Sequence, residues 1–200
     1  MAAGAFELKC CGMESDQTAI SHCVFDTAIG TCGVAWSTRG LVAVQLPERD
    51  RPATERRLIA RCSSSGAATP PSKIATLITD ITRYLDGERV DFSAVPVDLS
   101  SLDPFRRQLY ETMRTLPWGT TTTYGALART IGLANWEGAR DVGEAMGRNP
   151  VPIVIPCHRV LAAGQKLGGF SAPGGAATKA KLLALEGVHF DGSAPRLPGL

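Results

Sequence analysis

No stretch of this 200-residue chain approaches the ~18 consecutive apolar residues that a membrane-spanning helix needs. The first residues, Met1 to Gly12, lack a basic segment followed by a long apolar run, so no secretory signal is indicated. A soluble, cytoplasmic protein without a membrane partner is expected. Histidine is scarce, at three residues, and the six cysteines (positions 10, 11, 23, 32, 62 and 157) form no C-x-x-C pair. That spacing indicates no zinc site, and cysteines in a chain without an export signal read as reduced thiols. With 44% apolar and 20% charged residues, the composition is that of an ordinary globular protein, one large domain or two small ones.

The net charge of +2 is uninformative until it is divided. Residues 1–100 carry ten Lys/Arg against twelve Asp/Glu, whereas residues 101–187 carry ten against six. The second half is thus mildly basic, which suits a polyanionic partner and equally an ordinary surface.

Residues 1–17 are small and polar. Ser21–Phe25, Cys32–Trp36 and Leu41–Leu46 are short β-branched and aromatic runs separated by turn residues, which predicts antiparallel strands. Glu48–Arg61 can be helical, Ser63–Pro71 reads as a loop, and Lys73–Leu85 repeats apolar residues at helical spacing before Gly87. Phe92–Ser101, with Pro96 and no periodicity, reads as a linker. Asp103-Pro104 is a strong helix start. Two short helices follow, capped by Thr123 and Asn135 and separated by Gly132, which suggests a helix-turn-helix. Ala139, Gly143 and Ala145 on the second could admit a close neighbour or simply pack tightly. Ile153–Ile155 reads as a buried strand and Thr178–Leu185 as a last helix stopped by Gly187. The expected class is α+β: a small mixed α/β N-terminal domain of antiparallel strands plus helix over residues 18–98, then a mostly helical C-terminal domain over 102–187 that contains the helix-turn-helix.

The chemistry is concentrated in Ile155-Pro156-Cys157-His158-Arg159-Val160. A thiolate is the strongest side-chain nucleophile near neutral pH, but a free cysteine titrates near ~8.5 and needs activation. His158 is the adjacent base, although neighbours on an extended strand point to opposite faces. Direct contact would need a turn at Pro156-Cys157. Glu186 sits at a helix C-terminus, where a carboxylate is electrostatically disfavoured, and this suggests a partner.

With these elements in order, the second half resembles the methylated-DNA–protein-cysteine methyltransferases, which repair O6-alkylguanine. Four stretches carry the resemblance: Thr123-Tyr124-Gly125-Ala126-Leu127-Ala128, Ala139 to Met146, Asn149 through Val160, and Leu182-Leu183-Ala184-Leu185-Glu186-Gly187. The first half is similar more loosely, at Phe25 to Gly30 and Arg39-Gly40-Leu41.

The resemblance implies that Cys157 attacks the alkyl carbon, that His158 takes the thiol proton through a water, and that Glu186 supports the imidazole. It implies that Arg140 fills the gap left by a flipped base and that Tyr124 presses on the target phosphate and offers its hydroxyl to guanine N3. The Ser171 amide would donate to O6, and the Cys157 and Val160 carbonyls would accept from the exocyclic amine. Met146 and Pro152 would wall the pocket, and Asn149 would brace the turn. The partner implied is double-stranded DNA carrying O6-alkylguanine, entered from the minor groove by a monomer that uses no cofactor and is consumed in one turnover. O4-alkylthymine is a further expected substrate. Some animal members bind zinc through the first half, but Ser37 and Val42 stand at ligand positions here, so no metal is expected. Phe170-Ser171-Ala172-Pro173-Gly174-Gly175 departs from the aromatic-Ser-Gly-Gly stretch of some members.

Three other readings compete. A non-enzymatic lesion binder would lack Cys157. A transcription regulator would need a dimerisation helix or regulatory domain that is not evident. A cysteine hydrolase would leave the Arg140 helix without a role.

Overall fold

The computed structural model describes residues 19–133 and 136–189. A four-stranded sheet of order β3-β2-β1-β4 forms the first half. Strands β1 (Ser21–Thr27), β2 (Gly30–Ser37) and β3 (Gly40–Gln45) are joined by two-residue turns, with Thr27 opposite Gly30 and Ser37 opposite Gly40. The turn at Gly40 requires glycine twice over. Its φ is +143°, and a Cβ there would lie 2.6 Å from the Pro96 carbonyl oxygen.

That close approach corrects the expectation of a linker at 92–101. Leu41 N–H donates to Pro96 O, Asp98 N–H donates to Leu41 O, and Leu41 and Val97 form a parallel bridge. Phe92 and Leu99 are buried. The segment straps the β3 edge because its backbone groups find partners there, a nonlocal pairing that carries no periodic signal. Strand β4 (Gly66–Ala67) likewise lies inside the expected 63–71 loop and pairs with β1 in parallel.

Helix α1 (Arg51–Cys62) starts where Asp50 accepts from Ala53 N–H, and its Leu58 packs on Gly33 of the sheet. Helix α2 (Ser72–Leu85) buries Ile74, Leu77, Ile81, Tyr84 and Leu85, the face set by the 3.6-residue period. Helix α3 (Pro104–Arg114) is capped by Asp103, which accepts from Arg106 N–H at 2.9 Å.

Strand β5 (Thr122–Thr123) leads into α4 (Tyr124–Thr130), where the Thr123 hydroxyl caps Ala126 N–H. Helix α4 closes at Gly132, whose φ of +88° suits glycine. Helix α5 (Trp136–Gly147) packs against α4. The expected cap Asn135 lies outside the described residues. Ala145 points into the core, and its carbonyl accepts from Tyr110 Oη at 2.7 Å, so it provides packing and not an open approach.

Ile153–Ile155 is buried but is not a strand. Pro150 and Pro152 lack the N–H groups a ladder needs. The chain instead turns tightly, with Ile155 N–H donating to Val151 O at 2.9 Å and Ile153 at φ +76°. A 3-10 turn, Cys157–Arg159, follows, and then β6 (Val160–Leu161), which pairs with β5 in parallel. Helix α6 (Gly175–Leu185) begins three residues before the expected Thr178.

A continuous apolar core joins the halves. Leu41, Val44, Ile81 and Tyr84 share it with Leu109, Met113, Ile155 and Leu182. Nothing in the described residues is a helix long and apolar enough to cross a membrane.

Candidate active site

Pro156 bends the chain into Cys157. Its φ of −81° and ψ of 64° are those of an inverse γ-turn, closed by Cys157 N–H donating to Ile155 O at 2.8 Å. Asn149 holds the preceding loop from inside. Its Oδ1 accepts from Val151 N–H at 3.0 Å and its Nδ2 donates to Ile155 O at 2.8 Å. These bonds retain Ile153, a β-branched residue, in the left-handed region that such residues avoid. From the first half, Arg61 Nη2 donates to the Asn149 carbonyl at 2.9 Å, which ties α1 to the same loop.

Behind Cys157 lies a buried polar cluster. His158 Nε2 stands 2.8 Å from Glu186 Oε1. Arg159 closes on the same carboxylate, Nε to Oε2 at 2.8 Å and Nη2 to Oε1 at 2.9 Å, and its Nη1 donates to Leu116 O. Tyr84 Oη donates to Glu186 Oε1 at 2.8 Å, and Gly119 N–H reaches Oε2 at 3.2 Å. Glu186 follows α6 directly, and Gly187, at φ +78°, reverses the chain after it. His158 Nδ1 is buried and has no hydrogen-bond partner.

The charge states follow from these contacts. Burial raises the Glu186 carboxyl, but the bonds from His158 and Arg159 outweigh it and bring it down to about 2. Burial pushes His158 below its ordinary value, against the pull of Glu186, so the imidazole is neutral at pH 7. Because Glu186 is ionised and can only accept, Nε2 carries the imidazole proton and Nδ1 keeps its lone pair. Burial likewise pushes the Cys157 thiol up, opposed by Asn149, Lys179 and Arg61. The resting pair is a protonated thiol and a neutral imidazole.

Cys157 is 7% exposed and lines two adjoining openings. One, of about 310 Å³, is bounded by Tyr124, Gly143, Met146, Gly169 and Ser171. The other, of about 140 Å³, is bounded by Arg57, Arg61, Asn149, Pro152 and Phe170.

This constellation can be set beside known proteins. Residues 104–188 match the family described as "6-O-methylguanine DNA methyltransferase, DNA binding domain", and residues 20–99 match "6-O-methylguanine DNA methyltransferase, ribonuclease-like domain". The methylated-DNA–protein-cysteine methyltransferase of Methanothermobacter thermautotrophicus is 32% identical over 160 residues, 80% of this chain and 81% of that one. The chain belongs to the methylated-DNA–protein-cysteine methyltransferase family. A DNA base-flipping protein of Thermus thermophilus is 42% identical over 108 residues, 54% of this chain and 69% of that one. The Mycobacterium tuberculosis OGT crystallised with DNA superposes with a TM-score of 0.67 at 30% identity, covering 83% of this chain and 92% of that one.

Within this methyltransferase, Cys157, His158, Glu186 and Asn149 converge as one buried unit, and Tyr124, Met146, Pro152 and Ser171 line the openings onto Cys157. Val160 lies behind them, buried. Arg140 is exposed on α5. The Val160 carbonyl accepts from Lys179 Nζ at 2.6 Å, and the Cys157 carbonyl accepts from Val160 N–H.

Three residues of this cluster were not singled out in the sequence. Lys179 is fully buried, and burial lowers it to about 8. The spacing of Lys179, Leu182, Leu183 and Glu186 on one helical face was the available signal. Arg159 stands within the Cys157 motif, and the unfavourable position of Glu186 already called for a cation. Tyr84 shares the core face of α2, but no local pattern ties its hydroxyl to a carboxylate 102 positions away.

Proposed function

We propose that this methyltransferase repairs DNA by direct reversal, moving an alkyl group from guanine O6 to its own Cys157, once per chain. The observation that carries the reading is the buried thiol at the floor of the openings, beside a neutral imidazole whose free Nδ1 lone pair is backed by an ionised Glu186.

The step balances as a displacement. The Cys157 proton passes through a water to His158 Nδ1, and the imidazolium formed is stabilised by Glu186. Sulfur attacks the alkyl carbon, the carbon–O6 bond breaks, and its electron pair leaves with the purine, which takes up a proton with help from the Tyr124 hydroxyl. The product is a thioether, a poor leaving group, so the thiol is not regenerated. O4-alkylthymine fits the same displacement. No cofactor takes part, and one chain acts alone.

The target base is stacked within a duplex, so it is flipped out at a cost of a few kcal/mol. Helices α4 and α5 serve as a helix-turn-helix in the minor groove, and exposed Arg140 enters the stack. Ser171, Met146, Pro152 and the Cys157 and Val160 carbonyls receive the base, and Asn149 braces the turn beneath it. In this division residues 102–187 bind DNA and accept the alkyl group, while residues 18–98 support them.

The test is a duplex carrying a labelled methyl on guanine O6. Label is expected on Cys157 at one methyl per chain, located by peptide mapping. Absence of transfer despite tight binding would support a base-flipping binder instead, and repeated turnovers would exclude the single-use thiol.

A further inference from the structure

We infer that Tyr84, supplied by the first half of the chain, is a positioning residue of the proton relay that shares the Glu186 carboxylate with His158 and so limits its pull on the imidazole. The inference rests on the alkyl-transfer reading above and extends it to a residue outside the DNA-binding half.

Tyr84 is fully buried at the C-terminal end of α2. Its ring packs edge-on against Phe92 and Trp118, with centroids 5.6 and 5.3 Å away. The hydroxyl is thereby aimed at a single point between His158 and Glu186. It donates to Glu186 Oε1 at 2.8 Å and lies 3.2 Å from His158 Nε2. A phenol has one proton to give. That proton goes to the carboxylate, so the phenol oxygen faces Nε2 as an acceptor. Both neighbours of Nε2 are therefore acceptors, and the proton is held on that nitrogen. Nδ1 is left as the relay base.

The same bond alters the strength of that base. Glu186 Oε1 accepts from Tyr84, His158 and Arg159 together. Each donor disperses negative charge that would otherwise favour the imidazolium. The groups facing His158 are Tyr84 from α2, Lys179 and Glu186 from α6 and its cap, and Cys157 and Arg159 from its own turn. Removing the phenol hydroxyl leaves the two cations and the carboxylate in place, and it strengthens the pull of Glu186 on a proton at His158. The expected sign is an imidazole that protonates at higher pH.

The experiment uses full-length Tyr84→Phe, which keeps the ring and its aromatic contacts. The rate of single-turnover alkyl transfer is measured from pH 5 to 9, with DNA binding measured in parallel. The acid limb of the profile is expected to move up by about half a pH unit or more, which corresponds to a ~3-fold loss on that limb. The two proteins converge near the alkaline plateau, and DNA affinity is unchanged. A profile of unaltered shape, whether at wild-type rate or uniformly lowered, overturns the inference. Should Tyr84→Phe fail to fold, site-specific 3-fluorotyrosine at position 84 is a stronger donor, and it is expected to move the limb downward. No shift there overturns the inference equally. If wild-type protein transfers no alkyl group to Cys157, it is the alkyl-transfer reading that fails, so the two failures are distinguishable.

Discussion

Arg159 grips Glu186 with two parallel hydrogen bonds, Nε to Oε2 at 2.8 Å and Nη2 to Oε1 at 2.9 Å, and both residues are almost completely buried. The pair resolves the awkward placement of an acid at a helix C-terminus, where the peptide dipole disfavours negative charge. It also holds the imidazole partner ionised across the working pH range.

Breaking this pair is expected to be costly. Arg159→Met leaves a buried carboxylate short of its main counter-charge, a loss of about 3–5 kcal/mol in denaturant unfolding. Combining it with Glu186→Gln removes the unmatched charge as well, so the double variant should lose less than the sum of the singles. A loss below ~1 kcal/mol for Arg159→Met would mean that the pair is incidental.

Asn149 is expected to matter for both stability and rate. Asn149→Ala deprives Val151 N–H of its partner in a buried loop, at about 1–3 kcal/mol for a group left unsatisfied, and takes from the Ile155 carbonyl one of its two donors, the other being Cys157 N–H. It also releases the restraint on Ile153. Thermal unfolding should show the loss, and single-turnover transfer should slow by about tenfold or more, because small misplacements of a nucleophile are magnified in rate. Unchanged transfer in a destabilised protein would confine Asn149 to folding.

Lys179 gives an alkaline signature of defined sign. Its folded value is about 8 against an ordinary 10.5, so between those limits the unfolded chain binds the extra proton. Stability should therefore rise as pH increases from about 8 to about 10.5. Lys179→Met should abolish that rise. It should also shift thiol titration of Cys157 upward, since Lys179 is one of the cations that favour the thiolate. Denaturant midpoints measured across this range decide the first point, and alkylation kinetics the second.

The proposed entry of Arg140 into the base stack can be tested apart from the chemistry. Arg140→Ala is expected to slow repair of duplex DNA about tenfold or more, while reaction with free O6-alkylguanine changes little. Equal losses on both substrates would remove Arg140 from base flipping.

The features legible in the sequence are those with local causes. Asp50, Asp103 and Thr123 each cap a helix through a bond that spans three residues. Gly87, Gly132 and Gly187 end helices at positive φ. The hairpin turns follow from alternation and short polar breaks. The adjacency of Cys157, His158 and Arg159 is visible in the chain itself, and so is the oddity of Glu186 at a helix end.

What the tertiary structure alone decided involves partners far apart in sequence. Residues 92–101 have no period of their own and become ordered on the edge of β3. Ile153–Ile155 is as apolar as a buried strand, but flanking prolines and the Asn149 side chain turn it into a loop with one strained residue. Tyr84 and Arg61 look like ordinary helix residues until packing brings one to Glu186 and the other to the Asn149 carbonyl. Hydrogen bonds and helical periods act over a few residues and leave a mark in sequence. The desolvation that keeps a thiol protonated and an imidazole neutral, and the hydrogen bonds that keep a carboxylate charged in spite of it, arise only when the two halves close over a common core.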